Sequence, residues 1–305
     1  MSDARQLMWA ILARAALTAP EDIPSLIAQV GPDEAADMLT TGATTIQVPG
    51  DIGDAARADL DRAAAIDARL ITPDGSEWPA RLADLDAESA RSVAPVALWA
   101  RGPARLDMLS LNAIGIVGAR ACTEYGRTVT TEIATDFATR GWTVVSGGAF
   151  GVDAAAHSAA LDSSAATIAV LATGVDRSYP HAHTQLFRDI AATGLLVSEY
   201  PPRTSAMHSL FLGRNRLVAA LTRGLVVTES GLRGGTRHTA RWANQLNRPV
   251  FAVPGSVFSA ASAGCHAMIR AGQAELVTAA SHILDALAPT AEHPPAVRPI
   301  GRPSL

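Results

Sequence analysis

"AIGIVGARACTEYGRTVTTEIATDFATRGWTVVSGGAFGVDAAAH", residues 113–157, sets two short apolar runs, "AIGIVGA" and "TVVSG", on either side of a helical pattern from Tyr125 to Arg140. Runs of five or six Val, Ile and Ala residues that are apolar on both faces mark strands buried inside a parallel sheet. Parallel neighbours need a long crossover, and the helical pattern supplies one. The alternation then repeats, with "TIAVLA", "LLVSE", "GLVVTE" and "PVFAVP" as further strands. Helical patterns stand at Val152–Leu161, His183–Ala192, Asn215–Leu221 and Thr236–Asn247. Repeated strand–helix–strand units predict an α/β doubly wound parallel sheet, with ligands beyond the carboxyl ends of its strands.

Working outward, Gln6 to about Leu70 is helical throughout, with apolar residues at three and four spacing in "LMWAILARAAL", "IPSLIAQV" and "DEAADML" and breaks at Pro20, Pro24, Gly31 and Gly42. Residues 1–70 thus read as a small helical domain. Residues 71–110 form a connection, with "APVALWARGP" (94–103) as an edge strand, and 111–288 hold the α/β unit. The Pro-rich segment 289–305, "PTAEHPPAVRPIGRPSL" from Pro289 on, carries almost no large apolar residue and is expected to be disordered.

Composition narrows the function. The chain has 305 residues, 48% of them apolar, enough for a full core. No apolar run reaches the length of a membrane span and the N-terminus lacks the basic start of a signal peptide, so the cytosol is the expected compartment. Cys122 and Cys265 are the only cysteines, too few for a disulfide framework or a four-cysteine zinc site. All 25 Lys-plus-Arg positions are Arg. That excludes a Schiff-base lysine and the lysine of a Walker loop. The net charge of −4 hides an asymmetry: residues 1–100 hold 7 Arg against 16 carboxylates, whereas 201–250 hold 8 Arg against Glu229 alone. The second region is the candidate anion-binding surface and the acidic first region is not.

The strand ends carry the candidate residues. Gly118 allows a tight turn after the first strand and Arg120 projects beyond it. Ser146, Gly147, Gly148 and Gly151 expose backbone N–H groups at a helix start, a spacing able to cradle phosphate or simply to pack a turn. The loop "ATGVDRSYPHAHTQL" offers Tyr179, His181 and His183, but no third metal ligand stands at a metal-site spacing, so no metal is expected. Gly234, Gly235 and Thr236 precede another helix, as good N-terminal caps do. In "HSLFLGRNRLVAALTRGLVVTES" (208–230) Phe211, Arg214, Asn215 and Arg216 sit at the mouth of a helical pattern. There unpaired N–H groups, the positive end of the helix dipole and two guanidinium forks would all favour an anion. The plainer alternative pairs these arginines with Glu199 or Glu229.

Taken in order, these motifs resemble the DNA-processing protein A family (DprA, or Smf). Its pattern includes a G-[SA]-R-x-x-[ST]-x-Y-G turn, S-G-x-A-x-G-[IV]-D, T-x-A-V-L-x-x-G-[LV]-D-x-x-Y-P, S-E-Y-P, F-x-x-R-N-R, a Gly-rich helix start and V-F-A-V-P-G. Here they stand at Gly118–Gly126, Ser146–Asp153, Thr167–Pro180, Ser198–Pro201, Phe211–Arg216, Gly234–Thr236 and Val250–Gly255. The resemblance covers roughly residues 72 to 287. It implies a Rossmann-like domain that binds single-stranded DNA, protects it and loads the recombinase RecA in natural transformation, without catalysis or cofactor. It further implies an N-terminal domain of the SAM or helix–hairpin–helix kind and a homodimer formed through Gly255–Leu287. On this basis Arg120, Arg214 and Arg216 grip phosphates, Asn215 orders the loop or touches a nucleotide, Phe211 packs beside it, and the N–H groups of Gly147, Gly148 and Gly235 complete the pocket.

Four positions depart from the family pattern: Gly234 replaces Ser, Arg237 replaces Leu, His266 replaces Asn, and His181 stands where Lys is common. Many relatives also carry a C-terminal winged helix; with the Pro-rich tail at this end, that module is either absent or truncated away. Two other functions share the phosphate logic. A phosphoribohydrolase of the lysine-decarboxylase-like group would need P-G-G-x-G-T-x-x-E, and "LRGGTRHTA" puts Thr239 where its catalytic Glu belongs. A nucleotide sensor would need one phosphate site rather than several, and the eight Arg of 201–250 favour a strand.

Overall fold

A computed structural model describes residues 2–86 and 94–288; the segment 289–305, expected to be disordered, lies outside the described residues. Four N-terminal helices come first: α1 (Asp3–Ala16), α2 (Asp22–Val30), α3 (Pro32–Thr41) and α4 (Ile52–Ala64). Ser2 caps α1 through its hydroxyl, and Gly31 and Pro32 separate α2 from α3. Their apolar faces bury Trp9, Leu12, Ile23, Leu39 and Ile52. Asp59 of α4 is buried between Arg14 of α1 and Arg62, so the acidic surface of this region has one internal charge cluster that locks two helices together.

The sheet has nine strands in the order β1-β2-β6-β5-β4-β3-β7-β8-β9. These are β1 (Ala68–Ile71), β2 (Leu98–Arg101), β3 (Ala113–Val117), β4 (Thr143–Ser146), β5 (Thr167–Leu171), β6 (Leu195–Ser198), β7 (Gly224–Val227), β8 (Val250–Ala252) and β9 (Glu275–Leu276). From β6 to β9 every pairing is parallel, as the sequence predicts. The edge differs, because β2 runs antiparallel to β6 and β1 antiparallel to β2. β1 falls within the stretch expected to be helical. Its four residues, "ARLI", are too short to show a period, and only pairing with β2 defines them.

The remaining helices are α5 (Leu106–Leu111), α6 (Glu124–Thr139), α7 (Val152–Asp162), α8 (Thr184–Thr193), α9 (His208–Ala220), α10 (Gly235–Gln245), α11 (Ala263–Arg270) and α12 (Ala280–Leu287). Alternate strand residues serve opposite faces. Ile168, Val170, Leu225 and Val227 meet Leu217 and Val218 of α9, Ala240 and Ala243 of α10, and Met268 of α11. On the other face Ile114, Ile116 and Val226 meet α6, α7 and α12, while Ala169, Leu171 and Leu196 share a core with α8 and the N-terminal helices. The sheet is therefore covered on both sides, which is why its strands are apolar throughout.

His157 of α7 is fully buried in this second layer. Thr167 donates its hydroxyl to the Val144 carbonyl at 2.6 Å, so it receives the His157 Nδ1 proton at 2.9 Å. The imidazole is held neutral, and burial, with Arg214 and His183 nearby, pushes its pKa down to about 3. In the unfolded chain the same group binds a proton near pH 6.5. Its contribution is accordingly full above that pH and drains away as the pH falls toward 3. We expect His157→Gln to flatten the fall in unfolding free energy between pH 6.5 and 4 by up to about 1.4 kcal/mol per pH unit, measured by urea denaturation.

Candidate functional site

The chain reverses its direction of winding at β3, which lies between β4 and β7. In an open α/β sheet this switch point opens a crevice at the carboxyl ends. Here the crevice is a cleft of about 730 Å³. Its walls are the turn Gly118–Arg120 after β3, Gly147 and Ala149 after β4, the loop 230–235 after β7, one side of α9, and the start of α10. The loops are tied to one another: Ala119 N–H donates to the Glu229 carbonyl at 2.8 Å, and the Thr236 hydroxyl donates to the Gly118 carbonyl at 3.0 Å. Gly118 is confined so closely that a Cβ would stand 2.5 Å from Val152 and 2.8 Å from the Glu229 carbonyl.

The tripeptide Arg214-Asn215-Arg216 was expected at a helix mouth. Helix α9 instead begins at His208, so the three residues lie within it. Met207 gives no side-chain cap and Gly213 interrupts the apolar pattern, which hides the first two turns from a sequence-based assignment. Met207 and His208 bring the start of α9 to the cleft, beside the N-terminus of α10. Gly234 supplies no side-chain cap there and the first turn holds no acidic residue, so its N–H groups and positive dipole end face the cleft unscreened.

Arg214 forms the floor. It is only 5% exposed, and its Nη1 donates to the Val170 carbonyl at the middle of β5 while Nε has no partner. The guanidinium presses its edge against Gly147, where a Cβ would stand 1.9 Å from Nη1 and 2.5 Å from Nη2. Only glycine can occupy that position beside it. Asp153, also buried, accepts from the N–H groups of Gly147 and Ala149 at 3.2 and 3.3 Å. Burial pushes the Asp153 carboxyl upward, and the charge of Arg214 and these two N–H groups pull it back. Burial likewise opposes the charge on Arg214 while Asp153 supports it. A guanidinium does not release its proton in such a setting, so the floor carries a fixed positive charge.

Arg216, expected to grip phosphate, points elsewhere. Two residues on along a helix is a turn of about 200°, which carries its side chain to the other side of α9. There it holds Glu199 with both nitrogens, at 2.7 and 2.8 Å, and it does not line the cleft. Glu229, the other carboxylate considered for these arginines, receives the Thr123 N–H and hydroxyl at 2.7 Å each, at the start of α6. Ser146 donates to the Ile116 carbonyl at 2.6 Å, so its hydroxyl serves the sheet. The Gly147 N–H is committed to Asp153. Gly148 packs on the Phe187 ring and Gly151 on the Ala119 carbonyl, and neither lines the cleft. His181 is exposed on a short turn outside it.

Arg120, Phe211, Arg214, Asn215, Gly235 and Thr236 are brought together as cleft residues. The Arg120 guanidinium lies 5.6 Å from the centre of the Phe211 ring, which in turn is 5.3 Å from the Tyr179 ring. Phe150, 47% exposed, packs edge-on to His183 close by. Asp153 is the functional position that sequence reasoning passed over, although the S-G-x-A-x-G-V-D run ends on it. Among the described residues no group of three His, Cys, Asp or Glu could hold a metal ion, and no helix is long and apolar enough to cross a membrane.

Fold and site together define a doubly wound α/β protein with a cationic cleft at its switch point, floored by a buried arginine. Residues 69–288 match the family model described as DNA recombination-mediator protein A, and the chain belongs to that DprA/Smf family. It is 46% identical over 297 residues to a DprA-named protein of Mycobacterium tuberculosis, covering 93% of this chain and 76% of that one. It is 39% identical over 191 residues to the DNA processing protein DprA of Streptococcus pneumoniae, covering 63% of this chain and 66% of the other. The X-ray structure of the S. pneumoniae protein superposes with a TM-score of 0.73 at 29% identity, over 93% of this chain and 96% of its own. A Helicobacter pylori DprA structure, titled for its single-stranded DNA binding mode, gives a TM-score of 0.63 at 29% identity over 72% and 95% of the two chains.

Because Arg216 and Glu199 neutralise each other in a half-buried setting, Arg216→Ala leaves a stranded carboxylate. We expect a loss of about 3 kcal/mol in unfolding free energy, with part of it regained in the Arg216→Ala/Glu199→Ala double variant. Chemical denaturation of the parent, both single variants and the double variant measures the coupling.

Proposed function

We propose that the cleft binds single-stranded DNA, in a protein of the DprA/Smf type that protects incoming strands and passes them to RecA during transformation and recombination. The observation that carries this is the Arg214 charge, fixed on the floor with an unpartnered Nε, beneath an open rim of Arg120, Phe211 and Tyr179. Fixed positive charge supplies sequence-independent affinity for phosphates, and exposed rings supply stacking that any base can use. A duplex keeps its bases stacked inside and cannot use the rings. The N–H groups at the start of α10, at Gly235 and Thr236, add a phosphate position opposite Arg120. Asn215, whose amide lies 3.9 Å from where a Gly235 Cβ would be, stands between the two and is assigned to a nucleotide contact.

The role is binding rather than turnover. Glu199 and Glu229 are engaged by Arg216 and Thr123, away from the cleft, and Asp153 is buried under two N–H bonds. None of these three carboxylates is left free to act as a base toward a bound ligand. For partners, the homodimer implied by the family resemblance is assigned to the Gly255–Leu287 region, where Val257 and Phe258 are 80% and 97% exposed and Leu276 of the edge strand β9 is 50% exposed. Light scattering at tens of micromolar tests it, and a monomer with and without DNA removes it.

The direct test is fluorescence anisotropy with a single-stranded oligonucleotide, the matching duplex and nucleoside monophosphates. The single strand should bind most tightly and without sequence preference. Arg120→Ala should reduce the slope of log affinity against log salt by about 0.7, since one phosphate contact is lost. Phe211→Ala should weaken binding by about 1–3 kcal/mol and leave the slope unchanged, because stacking releases no counterions. Tight monophosphate binding with steady hydrolysis would favour the phosphoribohydrolase alternative instead.

A further inference from the structure

The cleft has the volume of a small-ligand pocket, so a bound strand must leave it, and the surface beyond determines where. Helix α10 enters the cleft with Gly235, Thr236, His238 and Thr239, while Arg233 stands at the rim. Beyond the rim, Arg237 and Arg241 are exposed on the outer face of the same helix. Four residues apart, they stand one above the other about 6 Å along the axis. None of the ion pairs among the described residues includes Arg233, Arg237 or Arg241. Arg237 is held in place by a single bond from its Nη1 to the Leu232 carbonyl at 2.9 Å, which leaves most of its donors free. The helix ends at Gln245, and Arg248 beyond it is paired with Asp84. His238 connects the two surfaces: it lines the cleft, and its basicity is lowered by burial and then by the charge of Arg241.

Unpaired arginines repeated on one face of a helix are costly unless water or an anion receives them. Here the pair continues outward along α10 from Arg233 at the rim of the cleft. From this continuity we propose that Arg237 and Arg241 form a phosphate track, by which a single strand seated in the cleft extends along the outer face of α10. The proposal rests on the single-strand reading of the cleft and adds the direction and length of the bound strand. Arg237 departs from the Leu of the family pattern, so the track is a property of this chain rather than of the fold.

The test compares two oligothymidylates, one short enough to lie within the cleft and one several times longer, on the parent chain, Arg237→Ala/Arg241→Ala and Arg237→Lys/Arg241→Lys. For the alanine variant the long strand should lose about tenfold in affinity at ~0.1 M salt, with a salt slope shallower by about 1.4, two contacts at about 0.7 each. The short strand should bind as in the parent. Lysine should restore most of the long-strand affinity, since a point charge suffices for phosphate. Both side chains are exposed, so thermal unfolding should not change. Equal losses for both lengths, or an unaltered long-strand slope, would overturn the track while leaving the cleft as the binding site. A parent that binds neither length would remove the single-strand reading and the track with it.

Discussion

Everything around the cleft depends on one buried guanidinium. Arg214 sits against Gly147, donates to β5 and stands near Asp153, so the loop after β4, a central strand and a helix from the opposite layer converge on a single charged group. Burying such a charge is expensive, and an incomplete set of partners makes it more so. The fold meets the cost only in part. Asp153 compensates through space, yet Asp153 is itself occupied by two backbone N–H groups, and Nε remains without an acceptor. Preorganised charge of this kind attracts an anion without any reorganisation when it arrives.

The neighbouring arginine shows what a structural role looks like on the same helix. Arg216 meets a carboxylate with a matched fork and is thereby neutralised, fixing α9 to the end of β6. Two guanidiniums separated by one residue thus serve opposite ends: one is silenced by its partner, the other is left with a surplus. Helix geometry alone separates them, since residues two apart face nearly opposite directions. Charge counts along the sequence cannot make that distinction.

This explains how the sequence could reveal the sheet and blur the site. Alternating strand and helix patterns from Ala113 to Ala252 are local signals, and the parallel sheet follows from them. The four-residue β1 and two-residue β9 carry no period and exist through pairing alone. At the site, Arg120, Gly235 and Thr236 stand in motifs that follow strands β3 and β7, and Phe211 and Asn215 in the F-x-x-R-N-R run of α9, and the structure brings all five to the cleft. The fates of Arg216, Ser146 and the Gly147 N–H were not legible: Glu199 and Ile116 are distant partners, and Asp153, six residues from Gly147, is turned back onto it only by the fold of the loop into α7. Glycine was overread for a related reason. Gly148 and Gly151 satisfy packing against Phe187 and Ala119, and a glycine chosen for close approach looks in sequence like one chosen for phosphate.

An all-arginine chain sharpens the division between fixed and mobile charge. Where the guanidinium is buried, its planar fork lets it fit one edge against a glycine and still reach a carbonyl, which an ammonium on a flexible stem would not do. Where it is exposed, as at Arg120, it spreads over the Phe211 ring and offers its edge to solvent, holding the aromatic in place while remaining free to meet an anion. The rim is therefore partly preorganised as well: Arg120 over Phe211, and Phe211 tilted against Tyr179, already form a continuous row of contacts before any base arrives. A ligand that combines regularly spaced negative charge with flat apolar faces gains from both elements at once. A free phosphate uses only the first, and a duplex can expose only its backbone to the second.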